Sequence, residues 1–128
     1  MNKNSKYYEL EKRTFEFAKR CRDFVSKLPK TISNIEYSKQ LIKSSGSQAA
    51  NYIEANESLS KKDFEYRIKI SRKETKESCM WLELCETGPD RNFEKERVDL
   101  INEGIELRNI FNSILGKTQN SQSTNLFS

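Results

Sequence analysis

Ser44-Ser45-Gly46-Ser47-Gln48-Ala49-Ala50-Asn51-Tyr52-Ile53-Glu54-Ala55-Asn56-Glu57 is a run of small residues inside a segment of helical period. Ser and Gly are weak helix formers, roughly 0.5–1 kcal/mol per residue less favourable than Ala. A helix that accepts this needs either the close approach of a neighbour or the polar row that the segment carries. Ser47, Asn51 and Glu54 stand at i, i+4 and i+7, so they share one helical face.

The flanking sequence supplies the partner helices. Leu10, Phe17, Ala18, Cys21, Phe24, Val25 and Leu28 recur at helical spacing from about Lys6 to Leu28, and Pro29 ends that run. A second helix starts near Asn34, a good N-cap residue. It carries Ile35, Ile42, Ala49 and Ile53 as its apolar face and reaches about Glu57. Gln40, Ser47, Asn51 and Glu54 point away from that stripe. Ser60 caps a third helix, about Lys61 to Glu86, with Asp63 at the capping-box position. Thr87-Gly88-Pro89-Asp90 is the sharpest break in the chain, and Asp90 caps a fourth helix that reaches about Leu115. The expected fold is all-α, an antiparallel up-down four-helix bundle over residues 1–115, with a disordered tail over residues 116–128. No internal repeat is visible.

Composition fits helices that share a core. Hydrophobic residues make up 34% and charged residues 33% of the 128, with only 4 Gly and 2 Pro. That apolar share is low for a self-contained globule, so either the core is thin or several chains share one. The third helix carries two stripes. One is Phe64, Ile68, Ser71, Thr75, Ser78, Leu82 and Cys85; the other is Tyr66, Ile70, Glu74, Glu77, Trp81 and Leu84. The fourth helix also carries two lines, Val98-Ile101-Ile105 and Leu100-Gly104-Leu107-Phe111-Ile114. One stripe suffices inside a monomer. A second one, partly polar and holding the only Trp, suggests a subunit interface, the alternative being a wide buried face within one chain.

The net charge of +4 is concentrated near the N-terminus, where residues 1–30 hold nine Lys/Arg against four Asp/Glu. Three acid-before-base pairs, Glu9–Arg13, Glu16–Arg20 and Asp23–Lys27, are expected to neutralise one another at i, i+4. A different face of the first helix reads Tyr8, Lys12, Phe15, Lys19 and Arg22, without an acid in its row. Cations interleaved with aromatics suit single-stranded nucleic acid, the cations meeting phosphates and the rings stacking on bases. Lys62, Lys69, Lys73 and Lys76, flanked by Arg72, form a second basic row on the third helix, which Glu65 and Glu77 can each partly neutralise; the face on the first helix is therefore the first candidate for nucleic-acid contact and this row the second.

Several function classes are disfavoured. The chain has no His, which removes His-based general bases and the Glu-x-x-His ligand pair of di-iron bundles. No Gly-rich phosphate loop is present. Cys21, Cys79 and Cys85 make no C-x-x-C and read as reduced core thiols of a cytoplasmic protein. No apolar run approaches the ~20 residues of a membrane span, and the N-terminal residues lack the apolar stretch of a secretory signal. What remains for catalysis is Glu74-x-x-Glu77 with Glu54, a carboxylate set that could hold Mg²⁺ as in all-α nucleotide pyrophosphohydrolases. A purely structural, protein-binding scaffold is the other alternative.

Residues 38–84 resemble the bacterial 23S rRNA intervening-sequence protein family, also called four-helix bundle proteins, and the similarity extends over roughly residues 8–115. The family pattern is S-x-x-x-N-I-x-E on the second helix, then a Lys-rich start and E-x-x-E-x-x-x-W/Y-L on the third. Here these are Ser47, Asn51 and Glu54, then Lys61-Lys62-Asp63-Phe64, Glu74, Glu77, Trp81 and Leu82. Tyr52 stands at the usual Ile position, and Ala55-Asn56 replaces a frequent Gly. The resemblance implies a ring-like homopentamer and no established enzymatic activity. It also implies similarity to the accessory variability protein of diversity-generating retroelements, a basic pentameric barrel that binds RNA and reverse transcriptase. The expectation is thus a non-enzymatic homo-oligomer with a basic surface for RNA or a nucleoprotein. It needs no cofactor, metal, membrane or small-molecule substrate. Ser47, Asn51, Glu54, Glu74, Glu77 and Trp81 are expected to serve as structural polar or interface residues.

Overall fold

The computed structural model describes residues 5–123, which form four helices: α1 (Ser5–Ser26), α2 (Ile32–Asn56), α3 (Lys61–Leu84) and α4 (Arg91–Ser123). No strand occurs among the described residues. Each start after α1 has a local chemical cause. The Asp63 N–H donates to Ser60 Oγ at 3.0 Å, and the Asn92 and Phe93 amides donate to Asp90 Oδ1 at 2.9 and 3.2 Å. Both caps match the sequence. The cap of α2 is Thr31, not Asn34: the Asn34 N–H donates to Thr31 Oγ1 at 3.1 Å. Asn34 instead lies buried, its Nδ2 donating to Pro29 O and Glu86 O and its Oδ1 accepting from Glu86 N. It ties the α1–α2 link to the end of α3. Gly88, at φ 84°, makes the turn into α4.

Helix α4 does not end near Leu115. It continues through Gly116 to Ser123, and Thr118 Oγ1 donates to Ile114 O at 2.9 Å. Extending a helix already anchored by packing adds one hydrogen bond per residue fixed, so a polar extension needs no core of its own. The last residues of the expected tail, 124–128, lie outside the described residues.

Antiparallel packing is recorded in the cross-helix contacts. Gln48 meets Thr14 and Asn56 meets Glu11. Ser44 meets Ser78, while Asn51 meets Arg67. Arg72 reaches Asn112, and Arg97 reaches Leu82 O and Glu83 O. Neighbours follow the chain around the bundle; α1 and α3 are diagonal, and α1 against α4 is the thinnest seam. That seam is held by charge as well as by Phe24 stacked on Phe93 at 4.8 Å. Arg13 forks onto Glu103 at 2.7 Å and Glu106 at 2.6 Å, and Lys27 reaches Glu96 at 2.8 Å. The i, i+4 pairs expected on α1 are therefore not the ones formed: Arg13 and Lys27 lie at the α4 edge, where the Arg13 guanidinium meets two carboxylates and Lys27 meets Glu96.

The apolar core runs through Phe17, Phe24, Leu41, Tyr52, Ile68, Leu82, Leu100, Leu107 and Phe111. A polar layer crosses its middle. Thr14, Ser44, Ser45, Gln48, Ser71, Thr75 and Ser78 are all buried. Gln48 Nε2 donates to Thr14 O at 2.7 Å, Ser71 Oγ donates to Gln48 O at 3.0 Å, and Ser44 and Ser78 share a 2.7 Å bond. The small residues of the 44–57 segment are thus inside the bundle. The expected apolar face of α2 is the reverse of the observed one. Leu41, Ser44, Ser45, Gln48, Tyr52 and Ala55 face inward, and of the expected stripe only Ala49 is buried. Ile35, Ile42 and Ile53 remain 42%, 49% and 40% exposed. On α4, the Leu100–Phe111 line is core, while Val98 and Ile105 face out.

Candidate functional site

The polar row of α2 lies beside the second stripe of α3. Asn51 Nδ2 donates to Ser47 O at 3.0 Å and to Ser47 Oγ at 3.2 Å, and Arg67 Nη1 donates to Asn51 Oδ1 at 3.1 Å. Ser47 and Asn51 therefore bond to each other along α2, and of the two Asn51 alone, through Arg67, fixes α2 against α3. Glu54, the third, is exposed. Further along the same seam Tyr37 stacks near Trp81 at 6.0 Å. Between these two contacts sits Glu74, whose side chain is only 19% exposed and lies 3.9 Å from Lys73. Burial, and then the neighbouring Glu77, push the Glu74 carboxyl above the usual range; Lys73 and Lys43 act against the rise. Glu77 is half-buried and forms no ion pair with a described residue.

These carboxylates do not build a metal centre by themselves. Among the described residues no three Asp, Glu or Cys side chains converge to hold an ion. Glu54 faces solvent from the outer side of α2, so the Glu54, Glu74, Glu77 set is not assembled within one chain.

The two basic rows fall on diagonal helices and cannot form one surface on one protomer. On α1, Tyr8 and Phe15 are exposed, at 68% and 52%. Lys12 is exposed and forms no ion pair with a described residue. Lys19 lies 5.7 Å above the Phe15 ring and 3.9 Å from Glu16, and Arg22 is paired with Asp23 at 2.9 Å. On α3 the pattern is cleaner. Lys62, Lys69 and Lys76 are exposed and carry no ion pair to a described residue, Lys73 pairs loosely with Glu74, and Arg72 holds Asn112 at 3.0 Å.

Beside the α1 row lies a shallow groove lined by Phe15, Ala18, Lys19, Arg22, Ile42, Ser45 and Gly46. The outward isoleucines of α2 continue it along the helix. The cysteines take no part in any surface site: all three are buried and reduced. Desolvation pushes Cys21 up to about 12 and Cys79 and Cys85 up to about 11, which leaves them as unreactive thiols.

Sequence reading missed Arg67 and Gln48. Arg67 stands seven residues before Glu74 and fourteen before Trp81, a heptad row that carried the signal. Gln48 had none, because a polar residue between Ser47 and Ala49 reads as solvent-facing until α1 and α3 are placed around it.

No helix among the described residues is long and apolar enough to cross a membrane. The sequence matches the family described as 23S rRNA-intervening sequence protein over residues 6–113. Among solved structures it is similar to a protein of unknown function from the S23 ribosomal protein family of Bacteroides thetaiotaomicron VPI-5482. That chain is 29% identical, with a TM-score of 0.69, and the likeness covers 83% of this chain and 97% of that one. No curated protein matches the sequence.

Proposed function

The chain belongs to the 23S rRNA-intervening sequence protein family, and from that premise we propose that it is a non-enzymatic, homo-oligomeric bundle of the cytoplasm that binds RNA along the lysine ridge of α3. The observation that carries this is that Lys62, Lys69 and Lys76 are exposed and form no ion pair with a described residue. They recur every seventh residue, so they rise along one line at roughly 10 Å intervals. Arg72 and Lys73 flank the line. Cations already satisfied by carboxylates give little on meeting phosphate, and free ones release counterions from the nucleic acid. By that criterion α3 takes precedence over the α1 row, where Arg22 and Lys19 have acidic neighbours.

The partner is RNA or a nucleoprotein that presents RNA, and the oligomer is the pentamer that the family resemblance implies. Three phosphate contacts on a single strand lower affinity roughly twentyfold between 50 and 200 mM salt. Filter retention of a labelled RNA over that range should show this slope, and Lys62→Glu/Lys69→Glu/Lys76→Glu should abolish retention while leaving the thermal transition in place. Retention that ignores salt, or survives the triple substitution, defeats the proposal. Light scattering at a fixed concentration counts the subunits.

A further inference from the structure

We infer that the α1/α2 groove is the seat of a second copy of this chain, which inserts the Glu74–Glu77–Trp81 stripe of its α3. The inference rests on the homo-oligomeric reading and states which surface meets which. Its first support is Gly46. This glycine lies in the middle of α2, is exposed, and has nothing within 4 Å of where a Cβ would stand. A mid-helix Gly is less favourable than Ala by about 0.5–1 kcal/mol, and no described residue fills the space it leaves. That space belongs to the groove lined by Phe15, Ala18 and Ile42. Small residues at an open helix surface permit close approach of a helix from outside.

The second support is charge complementarity. Lys19 and Arg22 line the groove, and their own acidic neighbours are exposed surface partners that are readily exchanged. The α3 stripe presents the opposite pattern: Tyr66 and Leu84, 60% and 43% exposed, around half-buried Trp81, with Glu77 in no ion pair to a described residue and the Glu74 side chain only 19% exposed. Lys73 reaches Glu74 only loosely, at 3.9 Å, and a cation from a neighbouring copy supplies counter-charge at Glu77. A groove and a stripe that differ from each other make a heterologous, head-to-tail contact, with each copy giving one and receiving the other. Both flank α2, so they lie on adjacent sides of the bundle rather than opposite ones. Successive copies therefore turn, as closure into a ring requires.

Charge reversal tests the pairing. The wild-type protein at fixed concentration should show a solution mass that is a multiple of 15.0 kDa. Arg22→Glu and Glu77→Arg should each reduce it towards the single-chain mass, and the double variant Arg22→Glu/Glu77→Arg should restore it. Gly46→Leu should also lower the mass without lowering the thermal transition, since the side chain projects into open space. A wild-type monomer overturns the inference together with the homo-oligomeric reading. A wild-type oligomer indifferent to Arg22→Glu and Gly46→Leu overturns the inference alone. So does a double reversal that fails to restore mass while each single variant remains folded by circular dichroism.

Discussion

The two sides of α2 are filled in opposite senses. Toward α1 and α3 it buries Ser44, Ser45 and Gln48; toward the outside it shows Ile35, Ile42 and Ile53. The inward side succeeds because its polar groups are bonded: Gln48 to Thr14 O, Ser71 to Gln48 O, Ser44 to Ser78. A buried hydroxyl with a partner costs little, and a small side chain lets helices come close. One atom of the layer is left over, Gln48 Oε1, which has no partner. The outward side has the converse property: apolar side chains that the described residues leave 40–49% exposed. The difference teaches that hydrophobicity alone does not say which face of a shared-core helix is inside; packing against named neighbours does.

The sharpest way to break this comparison is truncation on each side. Tyr52 is 1% exposed and stacks on Phe111 at 5.9 Å. Tyr52→Ala should cost about 3–5 kcal/mol in urea unfolding, the range for emptying a large aromatic site. Ile42→Ala, on the open side, should change stability of the isolated chain by less than about 1 kcal/mol. Equal losses would show that the isoleucine side is covered within a single chain.

Two glycines sharpen the same contrast at smaller amplitude. A Cβ on Gly104 would meet Cys79 Sγ at 2.5 Å and Phe17 Cζ at 3.4 Å. Gly104→Ala should therefore destabilise by roughly 1–3 kcal/mol through overpacking, against its gain in helix propensity. In a Cys79→Ala background much of that loss should disappear, because the sulfur that blocks the methyl is gone. Gly46→Ala should instead raise the midpoint of unfolding of the isolated chain, by about 0.5–1 kcal/mol. Thermal melts of the wild type, the three single variants and the Cys79→Ala/Gly104→Ala double variant decide the matter; a stabilising Gly104→Ala in the wild-type background would contradict the close α3–α4 approach.

What the sequence made legible follows the same division. Breaks and caps are local chemistry, so Pro29, Ser60 and Thr87-Gly88-Pro89-Asp90 placed three of the boundaries directly. The family pattern was legible at Ser47, Asn51 and Glu54. The inward face of α2 was not, because isoleucine spacing outweighed Leu41, Tyr52 and Ala55, whose burial depends on serines and a glutamine that bond only once three helices are assembled. The partners of Arg13 and Lys27 lie on α4, 90 and 69 residues away along the chain, and no local rule reaches that far. The distinction between free and satisfied lysines is local instead: Glu16 lies three residues before Lys19 on the same helix, a spacing that the reading by i, i+4 rows passed over.

The smallest expected effect concerns two carboxylates that the fold drives apart, one at a helix start and one on the α3 stripe. Glu94 accepts from Arg97 and from Thr87 Oγ1, the latter at 2.7 Å, and these bonds hold it at about 2, below its ordinary 4.5. A lowered native value means the contribution is complete above about pH 4.5 and drains away as pH falls towards 2. Glu94 is substantially exposed, so screening keeps this below about 1 kcal/mol. Glu74 has the opposite sign: its native value is raised by burial and by Glu77, so protonation on acidification favours the folded state. Glu94→Gln should flatten the loss of stability between pH 4.5 and 2 in urea titrations, and Glu74→Gln should raise stability at pH 7, where the buried charge is removed. If association brings a cation of another copy onto the stripe, the Glu74→Gln gain seen in dilute, dissociated protein should shrink or reverse at concentrations where the oligomer forms. A gain independent of concentration would leave the stripe uncovered.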